Sequence, residues 1–268
     1  MKSKILAYII ISGLVFLFTS SAMAYTIDGN LSDWGVDPGT PGSEDWVPNP
    51  GIYYTVEDTT TDYVGPGWGG QKFDAEAMYL TWDSTTLYLA LVTGFPNTGA
   101  GIEQGGTSYS AGDIAIDFGI DGTYEYGVEI GNHSASYAHP NSWWGFSGDI
   151  GGVYKGITWK YSEWPGYEDV PLNMHYTVPQ PTLAGNASGF TYVNTYPNID
   201  PLYDHWVVET SIPKSVFGSD WNGHLRVSWT ETCGNDIAAA ASPEPMSIAL
   251  FGIGALAALF NIRKKSKR

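Results

Sequence analysis

Cysteine and positive charge are what this chain most lacks. One cysteine, Cys233, stands among 268 residues. A lone thiol excludes an internal disulfide, so stability must come from a packed core or from bound ions. No His or Asn pattern marks Cys233 as a nucleophile, and a buried, inert thiol is its expected state. Lys and Arg number 12 against 28 Asp and Glu, and most of the basic residues lie at the two ends. Between Tyr25 and Ser242 only Lys72, Lys155, Lys160, Lys214 and Arg226 remain. Glu244 is the one acidic residue outside that stretch, which therefore sets five positive charges against 27 negative ones, a net of −22. Nucleic acid is excluded as a partner, because binding it needs a positive surface. Divalent cations stay open as partners, and solubility outside the cell accounts for most of the charge.

Catalytic signatures are also missing. There is no Gly-x-Ser-x-Gly, no His-Glu-x-x-His and no phosphate loop. The five histidines are scattered at 133, 139, 175, 205 and 224. A non-catalytic protein is expected. The enzyme alternative is a glycan-active hydrolase, whose paired carboxylates are recognised by their separation and not by sequence.

What is present begins at the ends. Lys2 and Lys4 precede an apolar stretch, Ile5–Phe18, and then Ala22-Met23-Ala24. A basic start, an apolar middle and Ala-x-Ala define a secretory signal peptide over residues 1–24, cut by signal peptidase after Ala24. At the other end, Pro243-Glu244-Pro245 is followed by the uncharged run Met246–Ile262. Arg263, Lys264, Lys265, Lys267 and Arg268 come next. As a helix the apolar run would span roughly 26 Å, slightly under a bilayer's hydrocarbon core. The basic cluster would hold the C-terminus in the cytoplasm.

This order of tripeptide, apolar helix and basic end resembles the sorting region of PEP-CTERM proteins, over about a tenth of the chain. The resemblance implies an exosortase as processing partner and an inner-membrane-anchored precursor in a Gram-negative bacterium. It further implies cleavage near the motif and release to the cell surface or extracellular matrix. A plain single-span anchor is the competing reading.

The middle, residues 25–236, reads as one all-β domain. Met78, Leu80 and Trp82 alternate, as do Leu87, Leu89 and Leu91 with Tyr88, Ala90 and Val92 opposite them, so that strand is expected to be buried on both faces. Ile114, Ile116 and Phe118 alternate with Asp113, Ala115 and Asp117. Tyr124, Tyr126, Val128 and Ile130 alternate with Glu125, Gly127 and Glu129. Leu225, Val227 and Trp229 form a further strand, and Trp206–Ile212 another. Asp83–Thr86 and Gly119–Thr123 read as turns, and Pro213–Phe217 as one short helical turn. Residues 35–75 and 132–204 read as long aromatic loops, and 237–242 as a small-residue spacer before the sorting region at 243–268. Many short strands with Gly-rich turns predict an antiparallel β-sandwich, jelly-roll-like.

Asp28-Gly29-Asn30-Leu31-Ser32-Asp33-Trp34, the strands Ala77–Trp82 and Leu87–Val92, the Asp113/Asp117 strand and Ile212-Pro213 also resemble the sandwich domains of family 9 carbohydrate-binding modules and DOMON domains. That resemblance implies an antiparallel sandwich that binds sugar, haem or calcium.

Two constellations could carry chemistry. Asp113, Asp117 and Asp121 are calcium-ligand candidates, since a Gly-containing turn lets carboxylates converge on a hard cation. The spacing departs from an EF-hand loop, and a solvated hairpin turn is the competing reading. Asp113 and Asp117 share a strand face, so Asp121 joins them only if the turn folds back. Asp236, in Cys233-Gly234-Asn235-Asp236, is a second place where a carboxylate could ligate or cap. The other constellation is aromatic. Tyr137, Trp143, Trp144 and Trp164 are glycan-contact candidates, in company with His139, Phe146, Trp159 and Tyr167. Sugar rings stack on indole and phenol faces, and extracellular polysaccharide is the partner this implies. The competing reading packs these rings over the sandwich as a satellite core.

Overall fold

The computed structural model describes residues 24–38, 45–57, 70–101, 108–131, 146, 148–161, 170–175, 179–200 and 203–243. Along the chain the strands are β1 (Tyr53–Val56), β2 (Ala75–Trp82), β3 (Thr86–Thr93), β4 (Ala100–Gly101), β5 (Ser108–Tyr109), β6 (Ile114–Phe118), β7 (Tyr126–Val128) and β8 (Gly152–Lys155). Then come β9 (Trp159–Tyr161), β10 (Pro171–Met174), β11 (Thr182–Asn186), β12 (Gly189–Asp200), β13 (Tyr203–Pro213), β14 (Leu225–Thr230) and β15 (Ile237–Ala241). The fold is all-β and antiparallel. One sheet runs β1-β2-β3-β13-β12 and a second runs β11-β8-β7-β6-β14-β15, with two small ribbons, β4-β5 and β9-β10, beside them.

The alternation in the sequence builds the layers. Met78, Leu80, Leu87, Leu89 and Leu91 from the first sheet share one buried cluster with Ile114, Ile116, Val227 and Trp229 from the second. The two sheets therefore enclose a common apolar layer in a sandwich-like arrangement. The opposite face of β2 and β3 is buried too. Ala77, Tyr79, Tyr88, Ala90 and Val92 pack under Leu31, Trp34, Val36, Trp46 and Ile52. The expectation of a strand buried on both faces holds, and part of the 35–75 stretch forms the cover. The turn at 83–86 also holds: Asp83 Oδ1 accepts the N–H groups of Thr85 at 2.7 Å and Thr86 at 2.8 Å. A 3-10 turn, Lys214–Val216, occupies the short helical turn expected after Pro213.

The cover is fastened by one buried carboxylate. Glu209 on β13 accepts the N–H of Gly29 at 2.5 Å and of Asp28 at 3.1 Å, and the indole Nε1–H of Trp34 at 2.7 Å. Burial pushes this carboxyl up to about 7, while the Trp34 and Gly29 donors pull it down.

Three expectations are corrected. Residues 237–242 are not a spacer, because Ile237–Ala241 is β15, paired antiparallel with β14. Ala238 and Ala240 are buried in the inter-sheet cluster, and β15 packs beside β1 and β2, where the two sheets converge. Small side chains suit that narrow space, and the alanine run has no period to betray a strand. The stretch 132–204 is not a loop throughout, since it carries β8 to β12. Those strands are short or irregular, with register shifts in β10, β11 and β12, so a period of two is hard to see. Finally, Tyr124 does not share the face of Tyr126. It joins Ala115, Phe146, Tyr154, Trp159 and Met174 on the outer face of the second sheet, because the regular strand starts only at Tyr126.

Among the described residues no helix is long and apolar enough to cross a membrane. Residues 1–23 of the expected signal peptide and the apolar run 246–262 lie outside the described residues.

Candidate functional site

The β6–β7 turn brings three carboxylates together. Asp117, Asp121 and Glu125 place one oxygen each within 4.8 Å of one another. The turn folds back because Gly119 and Gly122 take positive φ values of 97° and 89°, with Ile120 between them at 55°. Ile120 is the only non-glycine with positive φ among the described residues, and a branched side chain is strained there. Asp117 holds that conformation. Its Oδ1 accepts the Asp121 N–H at 3.1 Å, and its Oδ2 accepts the Gly122 N–H at 3.0 Å. Arg226 on β14, directly across the ladder from Asp117, donates through Nη2 at 3.3 Å. The Arg226 guanidinium also lies 5.3 Å from the Tyr124 ring centre. Glu125 accepts the Phe118 N–H at 2.8 Å. Its carboxyl is raised, first by burial and then by the Asp117 and Asp121 charges, against the pull of the Phe118 donor.

The trio offers the oxygen donors a hard cation takes. Yet Asp117 is fully buried and both of its oxygens are already engaged. The arrangement as it stands is a clamp on a strained turn, with Asp121 exposed and Glu125 partly buried. Of the candidates Asp113, Asp117 and Asp121, the structure unites the last two and adds Glu125. Asp113 lies at the opposite end of β6, where it accepts the Met174 N–H at 2.8 Å. Its neighbour is Glu129, whose carboxyl is raised by burial and by the Asp113 charge.

A second acidic group emerges between the two sheets. Asp74 immediately precedes β2, Glu76 lies on β2, Glu231 follows β14, and Asp236 precedes β15. They are 3, 1, 0 and 2 % exposed. Asp236 Oδ2 accepts the Ala75 N–H at 2.6 Å and its Oδ1 the Ile237 N–H at 2.7 Å. The Asp236 N–H in turn donates to Glu231 Oε2 at 3.3 Å. Glu76 pairs with His205 Nε2 at 2.9 Å. Burial, the Glu76 charge, a side-chain hydrogen bond shared with Asp236 and the charges of Asp236 and Glu231 push Asp74 up to about 10. Of these four the sequence singles out only Asp236, as a residue that could ligate or cap, and here it accepts the backbone N–H groups at the starts of β2 and β15.

The glycan-contact candidates Tyr137, Trp143, Trp144 and Trp164 lie outside the described residues, as do His139 and Tyr167. Two rings of the same constellation are described, and both are buried. Phe146 packs against Tyr154 with ring centres 4.8 Å apart, and the Trp159 indole N–H donates to the Tyr124 carbonyl at 2.9 Å. Of the residues expected to direct processing, Ala24 and Pro243 are exposed at the ends of the described chain, while Ala22, Glu244, Pro245 and the basic cluster lie outside it.

Comparisons with protein-family models, curated proteins and solved structures return no match for this chain.

Proposed function

We propose that this chain is an exported, exosortase-processed protein of the cell surface or extracellular matrix. Its domain is a non-catalytic, jelly-roll-like β-sandwich that contacts extracellular polysaccharide. The observation that carries the reading is Pro243-Glu244-Pro245 followed by an apolar run and a basic end, in a chain that also opens with a basic, apolar, Ala-x-Ala segment. The position of the last strand supports it. Ser242 is buried, and its backbone N–H donates to the Leu225 carbonyl at 2.9 Å. Its Oγ accepts the Leu225 N–H at 2.9 Å and donates to the Gly223 carbonyl at 3.1 Å. The folded domain is thus tied down one residue before the motif, so cleavage there would leave the sandwich whole. The net of −22 suits a soluble surface layer that binds no nucleic acid.

A second reading, a purely structural acidic envelope protein, is favoured by the burial of Phe146 and Trp159, which are used as core and not as a stacking platform. The test of the main reading is intact mass of the protein recovered from the cell surface. A species lacking residues 1–24 and the apolar run 246–262 is expected. A mature species that retains residues 246–268 sinks the processing claim. Retention on the host's exopolysaccharide separates the two readings. Loss of retention in Trp143→Ala or Trp144→Ala with unchanged stability favours contact, and absence of retention in the unmodified protein favours the structural reading.

A further inference from the structure

Only three residues separate the folded domain from the apolar run. Ser242 is buried, and its backbone and hydroxyl are both bonded to the Gly223–Leu225 segment. Pro243-Glu244-Pro245 follows, and the uncharged run begins at Met246. Each proline keeps the residue before it out of the helical region, so the tripeptide is extended. The four steps from Ser242 to Met246 cover roughly 12 Å at a polyproline rise, and about 14 Å at full stretch. As a helix the run spans roughly 26 Å, less than a hydrocarbon core of about 30 Å, so Met246 stands no higher than the edge of that core. The headgroup layer above it is about 5–8 Å thick. With the run inserted, Ser242 is therefore held within about 10 Å of the headgroup surface.

The groups around Ser242 suit that surface. A β-carbon built on Gly223 would lie 3.8 Å from the Trp82 ring. Trp82 and Trp221 are half-buried, with ring centres 5.7 Å apart. Lys214 Nζ lies 4.4 Å from the Trp221 ring centre, and the Tyr53 ring lies 5.3 Å from Trp82. Indole and phenol rings settle at headgroup level, and a lysine among them reaches the phosphates. Basic charge also gathers at this end. Of the five basic residues between Tyr25 and Ser242, Lys214 follows the strand end paired with Thr86, Arg226 starts β14 and Lys155 ends β8. Most acids here are spent within the fold. Asp83 accepts the Thr85 and Thr86 N–H groups, Asp117 holds its own turn and Arg226, and Asp220 accepts the Tyr126 hydroxyl. Asp121 is exposed, but it sits in the β6–β7 turn. That turn is two strands from β15 in the sheet, roughly 10 Å to the side of the attachment.

We propose that the Trp82–Trp221–Lys214 corner is a membrane-docking surface. In the uncut chain it rests on the phospholipid headgroups of the leaflet that the chain's own apolar run enters. The acidic β6–β7 turn tilts away from that leaflet. Cutting the tail frees the corner. This rests on the reading of residues 246–262 as an inserted anchor, and not on which enzyme removes it.

The experiment uses the full-length, uncut protein with Cys233→Ala, so that one added cysteine carries an environment-sensitive dye. Ser84→Cys reports the corner, Thr123→Cys the β6–β7 turn, and Ile150→Cys the opposite end of the second sheet; all three positions are exposed. The protein is reconstituted in vesicles of phosphatidylcholine and phosphatidylglycerol and floated on a density gradient. Emission is then compared with vesicles whose headgroups carry a nitroxide quencher. The Ser84 dye should lose most of its emission, the Thr123 dye less, and the Ile150 dye none. A chain that floats with its Ser84 dye no more quenched than the Ile150 dye overturns the docking surface and leaves the anchor standing. Stronger quenching at Thr123 than at Ser84 overturns it equally, because the domain then leans the other way. A chain that does not float overturns the anchor, and the docking surface with it. Should Ser84→Cys fail to fold, Asn222→Cys, exposed and next to Trp221, reads the same corner.

Discussion

Replacing Glu209 by alanine isolates a single fastening between the N-terminal cover and the first sheet. Three donors lose their acceptor: the Gly29 N–H and the Trp34 indole N–H, both buried, and the partly buried Asp28 N–H. At roughly 1–3 kcal/mol for each buried unpaired donor, with a small further term for the void, the loss is about 5 kcal/mol. The charge itself opposes this. A carboxyl whose pKa rises from its ordinary value of 4.5 to about 7 on folding destabilises the ionised fold by about 3 kcal/mol at pH 8, and alanine relieves that burden. The net loss at pH 8 is therefore about 2 kcal/mol, a Tm fall of about 4–8 °C for a domain of this size.

The sign of the pH dependence follows. Because the folded pKa is raised, the wild-type contribution from Glu209 is fully present below about 4.5 and is lost as pH climbs through 7. The variant has no such titration. Glu209→Ala should therefore cost more at pH 5 than at pH 8, by about 2–3 kcal/mol. Urea unfolding followed by tryptophan emission at both pH values reads the difference, since Trp34 sits at the fastening. A loss that is equal at both pH values, or larger at pH 8, refutes the argument. So does a loss under about 1 kcal/mol at pH 5, for then the three donors find other acceptors.

Glu129→Gln removes an acid raised by burial and by Asp113. Its wild-type contribution is greatest below its ordinary range and falls as pH rises, so the variant gains on wild type by up to about 1.4 kcal/mol per pH unit between pH 5 and 7; a gap independent of pH counts against the assignment. Gly112→Ala aims a methyl at two backbone oxygens, Leu172 O at 2.1 Å and Thr230 O at 2.2 Å. Backbone cannot rotate away as a side chain can, and a loss of about 3 kcal/mol or more is expected by denaturant titration. A chain ending at Ser242 should unfold within about 2 °C of one ending at Arg268, whereas a chain ending at Asp236 lacks β15 and should not fold cooperatively; equal melting of the two truncations would return residues 237–242 to the status of a linker.

Where the sequence was legible, the reason was a period. Leu87–Val92 has one apolar set on each face, and the two sets fall in two different clusters. Asp117 and Asp121 were readable as a turn because Gly119 and Gly122 bracket a hairpin. What stayed hidden depends on distant pairs. Asp236 and Ala75 are 161 positions apart, and Glu209 and Gly29 are 180 apart, so no local spacing announces either. One sign was present for Glu209: a charge in the middle of Trp206–Ile212, an otherwise apolar strand, where an unpaired carboxylate has no place. The strands β8 to β12 were concealed by Gly and Pro within short segments, which read as loop unless their partners are known.

The shortage of positive charge organises the interior as much as the surface. A domain with five basic residues cannot pair every one of its buried acids with an ammonium or guanidinium group. Lys214 is turned to the Asp83 carbonyl and lies 4.4 Å from the Trp221 ring centre, while Arg226 serves Asp117. The remaining buried acids are met by backbone and indole N–H donors, as at Glu209 and Asp236, by an imidazole, as at Glu76, or are held up toward the protonated form, as at Glu129. Such donors are fixed by strand ends and tight turns, so each carboxylate is bound to one backbone conformation and specifies it. Asp117 with Ile120 is the clearest case, because the acid holds a turn that no side chain in it prefers. Where donors run out, at Asp74 and Glu231, burial and the neighbouring acids hold the carboxyls up toward the protonated form, and Asp74 shares a side-chain hydrogen bond with Asp236.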